Sequence, residues 1–162
     1  MTLAAGSHTM VVEYYDRSGG AKATLTFGPT PPASCSVAAT GWLGEYYSNK
    51  TLAGVPAACR DDAGVNFDWG TGSPMAGVPV DNFSVRWRKS LYVAAGTYTF
   101  TLGTDDGGRL YIDGVLVIDR WVDQSYPASP PSAVRSLTAG THTFVVEYYA
   151  SAGAARALMT AN

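Results

Sequence analysis

Glutamate and lysine are scarce in this 162-residue chain, three of each against ten aspartates and eight arginines. Charged residues make up 15%, well below the roughly 25% of an average soluble domain. A net charge of −2 with no basic cluster excludes the footprint of a nucleic-acid or anionic-membrane binder. No apolar run approaches the roughly 20 residues that span a bilayer. Met1–His8 lacks the cationic stretch and apolar core of a signal peptide, so the signal of an exported protein is expected upstream or already removed. Glutamine and methionine, which like glutamate and lysine favour helices, are also few. What abounds is glycine, tyrosine, threonine and valine, the residues of strands and turns. The composition is all-β, and low Lys and Glu beside high Thr, Tyr and Gly suits an extracellular protein.

An internal repeat organises the chain. Residues 3–27 and 137–161 are identical at 14 of 25 aligned positions, with Gly-x-His-Thr-x-Val-Val-Glu-Tyr-Tyr shared at Gly6–Tyr15 and Gly140–Tyr149. The chain therefore opens on the tail of one unit, a β-hairpin over residues 1–27, and continues with a complete second unit. Gly28-Pro29-Thr30-Pro31-Pro32 within residues 28–40 reads as a stiff, extended linker. The complete unit is expected over residues 41–162. Its periodicity is two. Tyr98, Phe100 and Leu102 share one strand face, as do Phe83, Val85 and Trp87, and Phe144, Val146 and Tyr148. Asp113-Gly114 between two apolar runs is a hairpin signal. Many short strands between Gly, Pro and Asp clusters predict an antiparallel β-sandwich.

Cys35 and Cys59 bracket the first expected strand, Trp42–Tyr47. In an extracellular domain such a pair is expected to form a disulfide; two buried thiols are the alternative.

Catalytic patterns are missing. There is no nucleophile elbow, and His8 and His142 occupy one repeat position, so a unit holds a single histidine that reads as a structural or turn residue. Gly70–Pro74 lacks the lysine of a phosphate loop and reads as a turn. No carboxylate pair is placed for glycoside hydrolysis. A non-enzyme is expected. The aspartates read mostly as turn residues. Asp105-Asp106-Gly107-Gly108 differs, because two adjacent carboxylates repel unless a cation or a cationic side chain lies between them. Calcium, which takes six to eight oxygens, is one such cation. Trp121, with Asp123, Gln124 and Tyr126, has the mix of aromatic face, carboxylate and amide that suits a sugar ring; alternatively Trp121 plugs the sandwich edge.

Gly41–Tyr47, Val65–Gly70, Asp81–Trp87, Gly96–Phe100, Asp105–Gly114 and Val145–Tyr149 follow one another in an order that resembles the PA-14 domain, named for anthrax protective antigen. Residues 3–27 resemble only its last two strands. The resemblance implies a β-sandwich of roughly a dozen strands, in an extracellular or toxin-associated module found beside glycosidases and in adhesins. Some members hold sugar hydroxyls through calcium bound to an adjacent Asp pair joined by a cis peptide, here Asp105 and Asp106. Those members also use an Asn in the loop after the Tyr-Tyr strand, where this chain has Ser151. Main-chain carbonyls, or Asp123 and Gln124, would then complete the shell.

The expected function is a secreted or cell-surface glycan-binding and adhesion module, with cell-surface polysaccharide as partner and calcium as cofactor. Two alternatives stand beside it. One is a structural subunit of a tandem-repeat or fibre assembly, using the apolar hairpin face of Met10, Val12 and Tyr14 to pair with copies of itself. The other is an accessory domain of a secreted glycoside hydrolase. Asn49-Lys50-Thr51 and Asn82-Phe83-Ser84 fit the glycosylation sequon.

Overall fold

The computed structural model describes Cys35 and Ala39–Asn162, which belong to one compact unit. The expected hairpin over residues 1–27, with Met10, Val12 and Tyr14, lies outside the described residues, as does the linker apart from Cys35, Ala39 and Thr40.

The described residues hold ten strands: β1 (Trp42–Tyr47), β2 (Ala58–Asp62), β3 (Asn66–Gly70), β4 (Phe83–Val93), β5 (Gly96–Asp105), β6 (Gly107–Ile112), β7 (Val115–Arg120), β8 (Ser132–Leu137), β9 (Gly140–Ala150) and β10 (Ala155–Ala161). They form a six-stranded sheet in the order β2-β1-β4-β9-β6-β7 and a four-stranded sheet in the order β3-β10-β5-β8. Every pairing is antiparallel. Together they make the expected β-sandwich.

Alternation decides which face each sheet buries. Phe83, Val85 and Trp87 on β4 meet Phe144, Val146 and Tyr148 on β9, and all six are buried. Phe100 and Leu102 face them from the second sheet. Phe67, Trp69 and Trp87 stack nearly parallel across the core, with Phe67 5.0 Å from Trp69 and 5.5 Å from Trp87 between ring centroids. The opposite face of the six-stranded sheet carries a transverse row of alternating charge. Glu45, Arg86, Glu147, Arg109 and Asp119 are register partners from β1 through β7. Opposite charges directly across a ladder favour this pairing, and a slip of one residue would carry the row into the core.

Turn chemistry follows the sequence. Asp113 and Gly114, at φ 50° and 77°, close the β6–β7 hairpin. Gly72 N–H donates to the Trp69 carbonyl at 2.9 Å, so Gly70–Pro74 is a turn. Cys35 and Cys59 are disulfide-bonded.

The aspartates depart from expectation. Asp61, Asp62, Asp68, Asp105 and Asp119 lie in strands. Asp62 is 4% exposed and is a core residue. Its Oδ2 accepts from the Tyr46 hydroxyl at 2.6 Å and the Trp87 indole at 2.8 Å, and Oδ1 pairs with Arg60. Asp61 accepts from Thr40 and Gly41 and so pins the start of β1.

Candidate functional site

The end of β5 and the start of β6 are joined through Asp106, and the Asp105–Asp106 peptide bond is cis. Burial, helped by the Asp106 and Asp68 charges, holds the Asp105 carboxyl above its ordinary range, while the Tyr126 N–H pulls it down. Tyr148 donates its hydroxyl to the Asp105 carbonyl at 2.5 Å. Burial and both aspartate charges push that hydroxyl well above its ordinary range, so it stays a neutral donor.

Asp106 is 7% exposed. Its Oδ2 accepts from the Ser151 N–H at 2.6 Å. The loop after β9 is anchored from both sides to make this contact. Asn82 N–H donates to the Ser151 carbonyl at 3.1 Å, and Gly153 N–H to the Asp81 carboxylate at 3.0 Å.

The segment after β7 closes the other flank. Gln124 points its amide nitrogen at three oxygens, the Thr104 carbonyl at 3.3 Å, the Thr104 hydroxyl at 3.4 Å and the Asp106 carbonyl at 3.3 Å. Asp123 accepts from the Tyr149 hydroxyl at 2.7 Å. Burial first, then Asp123, pushes that hydroxyl up from its ordinary range. Trp121 meets Tyr149 edge-on at 4.7 Å, and the Arg109 guanidinium lies 4.0 Å from the centre of its ring. Trp121 is thus half-buried, packed between Tyr149 and Arg109. Tyr126 carries the Arg156 guanidinium at 4.0 Å in the same way. Gly107 and Gly103 make room for this packing, since a Cβ at either would collide with Tyr149 or Tyr126.

The structure therefore gathers Asp105, Asp106, Asp123, Gln124 and Ser151 around one turn, with Trp121 and Tyr126 packed beside it. It adds a residue that sequence reasoning passed over. Lys50 donates from Nζ to the Ser151 hydroxyl at 2.9 Å and sits 5.5 Å from the Tyr149 ring centre. The β1–β2 loop is built to hold it there. Asn49 Oδ1 accepts from Thr51 and Ala53, its Nδ2 donates to the Ala53 carbonyl, and its own carbonyl takes the buried Ser84 hydroxyl at 2.6 Å. Both the oxygen and the nitrogen of the Asn49 carboxamide are engaged in this loop. The available signal for Lys50 was the adjacent Asp105–Asp106 pair, whose charges favour a cation or cationic side chain nearby.

Calcium does not fit this donor set. Six to eight oxygens are needed. Gln124 turns nitrogen, not oxygen, to the turn; the Asp123 carboxylate is engaged by Tyr149; and the Ser151 hydroxyl accepts from an ammonium. Among the described residues no group of three or more His, Cys, Asp or Glu could hold a metal ion.

Two clefts lie elsewhere. One, of about 530 Å³, is lined by Thr40, Gly41, Arg88, Lys89 and Thr143; the other, of about 240 Å³, is lined by Leu91, Tyr98, Phe100, Phe144 and Met159. Neither includes a residue of the Asp105–Asp106 cluster. No helix among the described residues is long and apolar enough to cross a membrane.

Comparison with known proteins gives the relationship. The PA14 domain family matches residues 38–161. Anti-sigma-I factor RsgI3 of Acetivibrio thermocellus is 41% identical over 120 residues, which is 73% of this chain and 18% of that protein. A solved anti-sigma factor domain-containing protein superposes with a TM-score of 0.70 at 39% identity, over 75% of this chain and 42% of its own. A PA14 sugar-binding domain from an RTX adhesin gives a TM-score of 0.64 at 21% identity, over 77% of this chain and 90% of its own, a likeness of fold alone. The chain spans less than half the length of the first two of these relatives. It belongs to the PA14 domain family.

Proposed function

We infer that this chain is a non-catalytic glycan-binding module of a larger extracellular protein. The observation that carries the reading is the cluster at the β5–β6 turn. The carboxylates of Asp106 and Asp123, the amide of Gln124 and the ammonium of Lys50 gather beside the Trp121–Tyr149 aromatic pair. Sugar hydroxyls are recognised by such convergent donors and acceptors on a preformed surface. The RTX adhesin domain that shares the fold is described as sugar-binding. Likeness to anti-sigma factors supports placing the module within a longer regulatory protein, where it would sense a polysaccharide rather than attach a cell to one.

The strand-complementation reading has less support. β9 and β10 already occupy inner positions, β9 between β4 and β6 and β10 between β3 and β5, so the described unit offers no open slot for a second copy of that hairpin.

Affinity electrophoresis tests the proposal. The protein is run through native gels containing xylan, galactomannan, pectin or dextran. Retardation by at least one of them, weakened in Asp123→Ala and Gln124→Ala, is the expected result. Unchanged mobility of the wild type in every gel would refute it.

A further inference from the structure

We propose that Lys50 supplies the cation of this site, so that the module engages its ligand without a divalent metal. Positive charge nearby relieves the repulsion of adjacent carboxylates, and a bound ion or a side chain can provide it. Here the side chain is delivered by a purpose-built loop. Asn49 closes the loop through its own carboxamide, Ser84 fastens it to β4, and the Lys50 ammonium reaches Ser151 at 2.9 Å. Ser151 is in turn bonded through its N–H to Asp106 at 2.6 Å. One residue therefore touches the acidic pair with its backbone and the ammonium with its side chain. Tyr149 completes the seat, with its ring 5.5 Å from Nζ and its hydroxyl on Asp123. An aromatic face beside an ammonium favours a cation.

The arrangement has a chemical consequence. An ammonium offers three donors and no vacant coordination position. It can hydrogen-bond a ligand hydroxyl or carboxylate but cannot chelate a vicinal diol as a calcium ion does. The ligand class is therefore a polysaccharide that presents single hydroxyl or acidic acceptors, and its binding is indifferent to chelators. This extends the glycan-binding reading, but the metal part of it stands without any glycan.

Calcium titration calorimetry on EDTA-treated protein provides the test, carried to about 5 mM, beyond the roughly 1 mM of the weakest extracellular calcium modules. Wild type and Lys50→Arg are expected to give no binding heat. The double variant Lys50→Met, Ser151→Asn, which removes the ammonium and adds a carbonyl ligand, is expected to gain calcium binding. Thermal melts establish that each variant is folded. Wild-type binding that disappears in Asp106→Asn would overturn the proposal, and so would a folded double variant as silent as the wild type. The gel panel is then repeated with EDTA. Retardation that survives EDTA and falls at least about tenfold in affinity for Lys50→Met, the worth of one charge-assisted hydrogen bond, supports the proposal. Retardation abolished by EDTA overturns it. A wild type retained by no gel would sink the glycan reading and leave the calorimetric result standing.

Discussion

Asp62 shows how far a residue's role can lie from its local sequence. In Arg60-Asp61-Asp62-Ala63-Gly64 an aspartate pair before glycine reads as a turn, and for Asp61 the reading is near the mark, since it ties Thr40 and Gly41 at the strand start. Asp62 instead points inward, because one position along a strand changes the face. There it satisfies the Trp87 indole and the Tyr46 hydroxyl, two donors that burial would otherwise leave without partners. Asp62→Ala removes the acceptor that both donors share and the Arg60 partner. Loss of one member of a buried polar network costs about 3–5 kcal/mol, and each stranded donor accounts for about 1–3 kcal/mol of it. Asp62→Asn, which keeps one acceptor oxygen, is expected to lose less. Urea unfolding of the two variants measures this; a loss below about 1 kcal/mol in Asp62→Ala would contradict the assigned role. Lys50 was obscure for a related reason. Its partner Ser151 lies 101 positions away, a separation that no spacing rule connects.

At the scale of elements, strand faces were legible and the seams between strands were not. Period-two runs such as Thr97–Leu102 announce their buried side, and Asp113-Gly114 announces its turn. Nothing in Gly107 or Gly103 tells which ring will lie over it, because Tyr149 and Tyr126 arrive from other segments. The β6–β7 turn has such a seam with β9. Asp113 accepts from Thr143 N–H at 2.8 Å and meets His142 Nδ1 at 2.5 Å, while His142 Nε2 faces the Thr138 carbonyl at 3.0 Å. Both ring nitrogens thus face acceptors, an arrangement that suits imidazolium. The Asp113 bond, then the Thr138 carbonyl, raise the His142 pKa above 6.5, and the His142 bond lowers that of Asp113 below 3.8. The histidine contribution is fully present below pH 6.5 and is lost as pH rises through the raised value. The aspartate contribution is present above pH 3.8 and is lost as pH falls through the lowered one. The turn is therefore clasped most firmly to β9 between pH 3.8 and 6.5 and loosens as pH rises through the raised histidine value. An NMR titration of His142 should show a midpoint above 6.5 that returns toward 6.5 in Asp113→Asn. A normal midpoint in the wild type would remove the clasp.

For the whole molecule, the all-β class followed from composition, but the sheet order did not. Placing β9 between β4 and β6 while β10 crosses to the other sheet is a non-local choice, made by matching apolar faces and the outer charge row rather than by any local signal. The disulfide acts at this same scale. It joins Cys35, outside the strands, to Cys59 on β2, the edge strand of the six-stranded sheet, across a separation of 24 residues. An edge strand has only one neighbour to hold it, here β1. Closing a loop of that length restricts the unfolded chain by roughly 3–4 kcal/mol in the chain-entropy account. β2 stands four strands from β6, on the order of 19 Å at about 4.8 Å per strand. Reduction should therefore lower global stability while leaving the Asp105–Asp106 turn intact. Guanidinium unfolding with and without dithiothreitol, read beside gel retardation of the reduced protein, separates the two effects. A midpoint shift with unchanged retardation is expected. Unchanged stability would mean that the edge strand needs no covalent tie, and lost retardation at full folding would mean that the tie on β2 also holds the β1–β2 loop that carries Lys50.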